Sequence, residues 1–336
     1  MSRAALARGA IGRTKVALAA MLALASAAAS AQNDAAAIVA WPERPLRVIA
    51  SVAAGTSLDA LARLTATRLA AALGQQVIVE NRGGAAGAIA TDAVARAAAD
   101  GHTLLFTSNS IATLPAFQGP RAVDPLAVLA PVAMVATQPM IVVAHPSFPG
   151  GSYADVVDAA RRAPGRVPYA TSGVGSLAHL TAVWAHSRAG IELLHVPYSG
   201  SQSFKDVLTG EVPLAFTFFG SALPLVRNGQ LKAIAVTSRR RNAAAPEIPT
   251  LHESGIADFE SINWQGVLAP AGTPAAVVAR LHGELARIAA DPEFEGRLRA
   301  MGFAPALGPP ARFAEEIRLE TARWSRIVKA ANLKLE

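Results

Sequence analysis

The chain has 336 residues, of which 52% are hydrophobic and 16% charged, with a net charge of +7 and no cysteine. The absence of cysteine excludes disulfides, thiol catalysis and thiolate metal sites together. The positive excess makes no nucleic-acid footprint, which requires basic residues gathered on one face; the single basic cluster, Arg239-Arg240-Arg241, sits in a Pro/Ala-rich loop and reads as a solvated turn.

Residues 1–31 read as a targeting segment. Arg3, Arg8, Arg13 and Lys15 precede the apolar run Val16–Ala25, and the small-residue stretch after it ends in Ala29-Ser30-Ala31, an A-x-A cleavage pattern. The apolar run is too short for a permanent membrane helix, and no cysteine follows to carry a lipid. Its four basic residues account for more than half of the +7, so the mature chain is left at +3. The expectation is an exported, soluble, periplasmic protein.

The mature sequence alternates β-branched runs with Ala/Leu-rich helical stretches. Leu46–Val52 is a predicted strand, followed by the turn Ala54-Gly55-Thr56-Ser57 and a helix Leu58–Leu73 that Thr56 or Ser57 caps and Gly74 ends. Val77–Glu80 is the next strand. The glycine-rich turn Asn81–Gly87 then leads to a helix ending near Gly101, and Leu104–Thr107 closes a βαβαβ set, which implies a parallel sheet with helices on both faces. Val132–Ala144 reads as two β-rich runs separated by Gln138-Pro139, a first crossing into a second lobe.

In that lobe the alternation resumes with helix Tyr153–Arg162, strand Val167–Ala170, helix Ser176–Arg188 and strand Glu192–Val196. Helix Ser203–Thr209, strand Pro213–Phe218, helix Ser221–Asn228 and strand Ala233–Thr237 follow. Ile262–Leu268 reads as the return strand. The helices Pro274–Ala290, Pro292–Met301 and Arg312–Ala331 have no strand of their own and are expected to pack on the sheet of the first lobe. The inferred architecture is α/β: lobe one from residues 32–137 plus 266–336, lobe two from 138–265, joined by two crossing segments with a cleft between them.

Three strand-to-helix turns carry the chemistry, because each sets backbone N–H groups at a helix N-terminus: Ala54–Asp59, Ser108–Thr113 and Thr171–Ser176. In doubly wound sheets such turns lie at the carboxyl ends of strands, where ligands bind, and opposed helix N-termini suit a carboxylate. Each turn taken alone reads first as an ordinary N-cap; the set of three carries the reading. Gly173-Val174-Gly175-Ser176-Leu177-Ala178 matches G-x-G-x-x-A, yet Glu192, the nearby acid, stands at the start of its strand, the wrong end for a ribose. A hydrolase built on Ser176 and His179 is the rival reading, although no acid is placed to orient the imidazole. The histidines have no metal-ligand spacing, and no cofactor is expected.

At these turns the chain resembles the substrate-binding receptors of tripartite tricarboxylate transporters, the Bug family. The resemblance runs through WPERPLRVI, AGTSLDALARLTATRLAAALGQQVIVENRGGAAG, ADGHTLLFTS, YATSGVGSLAHL, VPYSGS, LKAIAVTS, IPTLHESG, GVLAPAGTPAAVVARL and the ARW of the last helix. It implies a two-lobe periplasmic-binding-protein fold of the type II, flytrap kind. It also implies a ligand carboxylate held by backbone amides, hydroxyls and water. By position, the binding residues it implies are Ala54, Gly55, Thr56, Ser57 and Asp59 in the first turn, Ser108 in the second, Thr171, Ser172, Gly175 and Ser176 in the third, and Tyr198 beyond it. The implied partners are a small organic carboxylate and either the membrane permease subunits of such a transporter or a sensor kinase, with the receptor itself a monomer and not an enzyme. A member without a permease, acting only as a sensor, has no distinguishing feature in the sequence.

Two departures bear on the ligand. The family's P-G-G-x-x-D turn is here Ala54-Gly55-Thr56-Ser57-Leu58-Asp59, which puts a hydroxyl and a Cβ where the second glycine would be. Its V-D-x-x-F-D strand is here Val212-Pro213-Leu214-Ala215-Phe216-Thr217, without either acid. An ammonium group would lack its carboxylate partner, so the expected ligand is a mono- or dicarboxylate rather than an amino acid, and Phe218, Phe219 and Trp264 raise the expectation of an aromatic one.

Overall fold

A computed structural model describes residues 41–119, 122–198 and 203–334. The expected targeting segment, residues 1–31, lies outside the described residues. Contacts divide the chain into residues 1–44, of which 41–44 are described, and Pro45–Glu336; every element below belongs to the second unit.

The first three strands, β1 (Leu46–Ala50), β2 (Val77–Asn81) and β3 (Thr103–Ser108), are parallel in the order β2-β1-β3. Helix α1 (Ser57–Leu73) connects the first two and begins and ends as its sequence dictates. The Thr56 hydroxyl accepts the Asp59 N–H, and Gly74 closes the helix in the left-handed conformation (φ +67°), where a side chain would be strained. Helix α2 (Ala88–Ala95) leads to β3, after which come the short helices α3 (Ser110–Thr113), α4 (Pro115–Gln118) and α5 (Pro125–Val128).

Strand β4 is the spine of the fold and differs from the sequence reading. It is one continuous strand, Leu129–Ala144, rather than two runs interrupted at Gln138-Pro139. Its antiparallel partner over Leu129–Pro139 is β9 (Ile262–Pro270), which also pairs with β3. From Met140 to Ala144 its partners are β7 (Leu214–Phe218) and β8 (Lys232–Val236). Pro139 has no N–H to give to a ladder, and it stands where the partner changes. Locally it looks like a stop; in the sheet it is a handover.

Residues Met140–Ala144 are all fully buried, as expected of a central strand covered on both faces. Met140, Val142 and Ala144 join one core cluster, while Ile141 and Val143 join the other, the two-residue alternation of a pleated strand. The first cluster is closed by α6 (Tyr153–Arg162) and α7 (Leu177–Ala189), which flank β5 (Pro168–Thr171) in the chain. Strand β6 (Leu194–Pro197) is parallel to β5, and β5 is parallel to β7. Helices α8 (Ser203–Thr209) and α9 (Phe219–Arg227) supply Val207, Phe219, Ala222 and Leu223 to the second cluster.

The C-terminal region, helices α10 (Ala275–Ala289), α11 (Pro292–Ala300) and α12 (Pro310–Ala330), departs from expectation in two ways. It contains a two-residue strand, β10 (Ala304–Pro305), which pairs with β4 at Ala136 and Thr137. The last helix also reaches beyond the first sheet: Trp324 meets Trp184 of α7 edge-on at 6.0 Å, and the Arg323 guanidinium lies 5.1 Å from the Trp184 ring centre. No described helix is long and apolar enough to cross a membrane.

Candidate functional site

The first turn is built around Asp59, whose carboxylate is engaged within the protein. Its carboxylate accepts the Gly55 N–H at 2.9 Å and the Asn81 amide at 2.8 Å, and pairs with Arg63 at 3.0 Å. Burial opposes ionisation of Asp59, and these three donors outweigh it, holding the carboxyl below its ordinary range. Gly55 therefore spends its N–H inside the protein. Asp59 ties the turn to β2 through Asn81, whose amide also donates to the Val52 carbonyl at 3.2 Å.

The third turn is similarly self-satisfied. Ser176 caps α7: its hydroxyl donates to the Gly173 carbonyl at 2.7 Å and accepts the His179 N–H at 3.2 Å. The Gly175 N–H goes to His179 Nδ1 at 3.2 Å, and the Gly173 N–H goes to the Thr171 hydroxyl at 3.3 Å. Both N–H groups that a dinucleotide pyrophosphate would need at G-x-G are thus committed. The hydrolase geometry is absent too. The His179 ring accepts from Gly175 rather than from Ser176, and burial, reinforced by His195, pushes its pKa down to about 4, a poor general base at neutral pH. The Tyr198 hydroxyl donates to Asp206 at 2.5 Å.

What the turns share is a cavity of about 1070 Å³. Ala54 and Thr56 of the first turn, Ser108 of the second and Ser172 of the third all line it. Gly55, Ser57, Asp59, Thr171, Gly175, Ser176 and Tyr198 are not among its described lining residues. Phe219 and Trp264, the aromatics expected near a ligand, are 0% and 1% exposed and belong to the core, and Phe218 does not line the cavity either.

The sequence reading missed one wall entirely. Gly83, Gly84, Ala86 and Gly87 line the cavity, with Ser51 and Ser110 beside them. Four consecutive residues here have positive φ: Gly84 at +118°, Ala85 at +47°, Ala86 at +52° and Gly87 at +89°. Two successive alanines in the left-handed region store strain of the kind that collects at binding sites, and tight turns of backbone N–H groups form anion-binding concavities. A Cβ on Gly83 would lie 2.9 Å from the Ala53 nitrogen, so this loop packs directly against the first turn. The signal, N-R-G-G-A-A-G, was visible but carries no reactive side chain.

None of the described lining residues is ionisable. The cavity offers hydroxyls and backbone amides, with neither a cation to neutralise an anion nor an acid to receive an ammonium group.

Comparison with known proteins identifies the family. Residues 61–333 match the family described as the tripartite tricarboxylate transporter family receptor. A Pseudomonas sp. (strain P51) protein of the tcbD-tcbE intergenic region is 33% identical over 320 residues, 95% of this chain and 94% of its own. Among solved structures, the Rhodopseudomonas palustris protein Rpa4515 with adipate is 31% identical with a TM-score of 0.78, covering 88% of this chain and 99% of that one. MatC from the same organism, with bound malate, is 28% identical with a TM-score of 0.74, covering 86% and 100%. The chain belongs to the tripartite tricarboxylate transporter receptor family and has its two-lobe periplasmic-binding-protein fold: it is a periplasmic solute-binding receptor, not an enzyme.

Proposed function

We propose that the protein captures a small mono- or dicarboxylate without a free amine in the serine- and glycine-lined cavity, and delivers it to the membrane permease of a tripartite tricarboxylate-type transporter. The observation that carries this reading is the chemistry of the cavity wall, with Ser108, Ser110 and Ser172 around a strained glycine loop and no ionisable residue among the described lining; the Thr56 hydroxyl, also in the wall, already donates to the Ala53 carbonyl at 3.1 Å. Such a wall solvates a carboxylate through many neutral donors, and it gives an ammonium group nothing to pair with. The buried acid of the first turn, Asp59, is already occupied by Gly55, Asn81 and Arg63. Adipate in Rpa4515 and malate in MatC are ligands of this class.

The volume supports capture by closure. At about 1070 Å³ the cavity lies just above the range of small-molecule sites, roughly 300–1,000 Å³, and a six-carbon diacid would leave much of it filled with water. Movement of residues 138–265 toward residues 32–137 and 266–336 would bring Ser172 toward Thr56 and Ser108, and the ligand would select the closed state through contacts made only there. A thermal-shift series tests this. Adipate or malate should raise the unfolding midpoint progressively with concentration, whereas glutamate and ATP should not. Stabilisation by glutamate or ATP alone would refute the reading.

A further inference from the structure

The second turn is held by a side chain that stands in for backbone. Strands β3 and β9 pair antiparallel up to Ser108 opposite Gln265, and the next pair would be residue 109 opposite residue 264. There the chain leaves the sheet, with Asn109 already helical at φ −48°, ψ −14°. The Asn109 carboxamide continues the ladder instead: its oxygen accepts the Trp264 backbone N–H at 2.7 Å, and its nitrogen donates to the Ile262 carbonyl at 3.1 Å. The remaining amide hydrogen goes to Glu320 of α12 at 2.5 Å, and the same carboxyl oxygen accepts the Trp264 indole N–H at 2.8 Å. Asn109, Trp264 and Glu320 are each 1% exposed.

We propose that Glu320 is a positioning residue for ligand binding: it orients the Asn109 carboxamide, and Asn109 in turn fixes Ser108 and Ser110 at the cavity wall and ties them to the start of β9. This rests on the reading of that cavity as the ligand site. The geometry leaves the carboxamide one consistent orientation, since its nitrogen faces two acceptors and its oxygen one donor. It also places the link at a mechanically important point. Ile262 opposes Pro139, the residue at which β4 changes partner, so the turn bearing Ser108 is anchored where the fold crosses from one set of strands to the other.

The carboxyl needs no charge for this role. Burial pushes its pKa up to about 8 against the opposing pull of the Trp264 and Asn109 hydrogen bonds; of the nearby charges on α12, Glu316 raises it and Arg323 lowers it. Glu260 and Arg312 line, together with Trp264, Glu316, Glu320 and Arg323, a cavity of about 400 Å³. A neutral acceptor of the same shape should therefore substitute for it.

The test compares Glu320→Gln, which keeps an acceptor oxygen, with Glu320→Met, which keeps the volume and removes it. Amide hydrogen exchange of the ligand-free protein is read at residues 112–114, whose N–H groups close the turn onto Asn109 and Ser110. Adipate affinity is read by calorimetry, with Ser108→Ala as the lining control. Glu320→Met should speed exchange at 112–114 and weaken adipate binding, each by roughly tenfold, the worth of about one buried hydrogen bond, while Glu320→Gln leaves both near wild type. Asn109→Ala, which cuts the link from its other end, should reproduce the effect of Glu320→Met without altering α12. Wild-type exchange at 112–114 in Glu320→Met or Asn109→Ala overturns the inference, as does a Gln variant as loose as Met. If Ser108→Ala leaves adipate binding untouched, it is the assignment of the cavity that fails, and the exchange measurement still decides the role of Glu320.

Discussion

The imidazole of His179 stacks on that of His195 with ring centres 3.8 Å apart and planes within 5°. The pair lies behind the third turn, where His179 Nδ1 accepts the Gly175 N–H and His195 Nε2 meets the Thr171 hydroxyl at 2.8 Å. Two stacked imidazoles at this distance resist a first proton and resist a second still more. Burial, with His195 adding to it, brings His179 down to about 4; burial alone brings His195 to about 4, and His186 close by falls to about 3.

These depressed values fix a pH dependence. The unfolded chain takes up protons near 6.5 and the folded one only near 4, so the stability from neutral histidines is full above about pH 6.5 and is lost as the pH falls toward 4. Replacing His195 by Gln, which keeps a partner for Thr171, should flatten that fall by about one proton's worth. Urea midpoints of both proteins at pH 7, 6 and 5 measure it, and parallel slopes would show the stack to be irrelevant to acid stability.

Glu320 imposes the opposite slope. Its folded value of about 8 lies above the ordinary 4.5, so its contribution is full below pH 4.5 and is lost progressively as the pH rises to about 8, with no further change beyond. The difference in stability between wild type and Glu320→Gln should shift against wild type across that window, by on the order of a few kcal/mol at most. The proton is also visible directly: the Trp264 indole N–H, bonded to the carboxyl, should titrate by NMR near pH 8 in wild type and stay flat in Glu320→Gln. An indole resonance that moves near pH 4.5 would place the charge on Glu320 at neutral pH.

Ser176 is expected to behave as a cap. Ser176→Ala removes the acceptor for the His179 N–H and should cost about 1 kcal/mol of stability. Its effect on ligand affinity should be small, because Ser176 does not line the cavity. Ester or amide hydrolysis by the wild type that vanishes in this variant would contradict the assignment as a receptor.

The glycine loop should be less tolerant than any hydroxyl. Gly87→Ala places a Cβ at φ +89° and 3.0 Å from the Ser110 hydroxyl oxygen, so both the backbone and a cavity-lining side chain must shift. A loss of roughly 1–3 kcal/mol in stability is expected, together with weakened carboxylate binding. Gly74→Ala, with its positive φ but open space around it, is the control that should lose stability without losing affinity.

Much of this fold was legible because its punctuation is local. Ser152 with Asp155 forms a capping box, and the helix Tyr153–Arg162 runs as the sequence predicts; Thr56, Ser176 and Gly74 mark ends in the same way. What was hidden depends on residues far apart. Pro139 reads as a break until the partners of β4 on either side of it are known, and Asn109 and Glu320 are 211 residues apart. The candidate site was half legible for a related reason. Turns at strand ends pointed to Ser108 and Ser172, but a sequence does not show which hydroxyls and amides are already consumed, as the Thr56 and Ser176 hydroxyls are by their own turns. Nor does it show that a glycine loop without reactive side chains forms a wall.

The most direct measurement is calorimetric titration of adipate and of malate into the wild type, Ser108→Ala and Ser172→Ala, at low and high salt. Capture by neutral donors requires saturable one-to-one binding of at least one diacid. Affinity should change little with salt, because no ionisable group lines the cavity among the described residues, and each variant should be weaker by roughly tenfold. Binding that collapses in high salt and is indifferent to both substitutions, or no diacid binding where glutamate or ATP does bind, would contradict it.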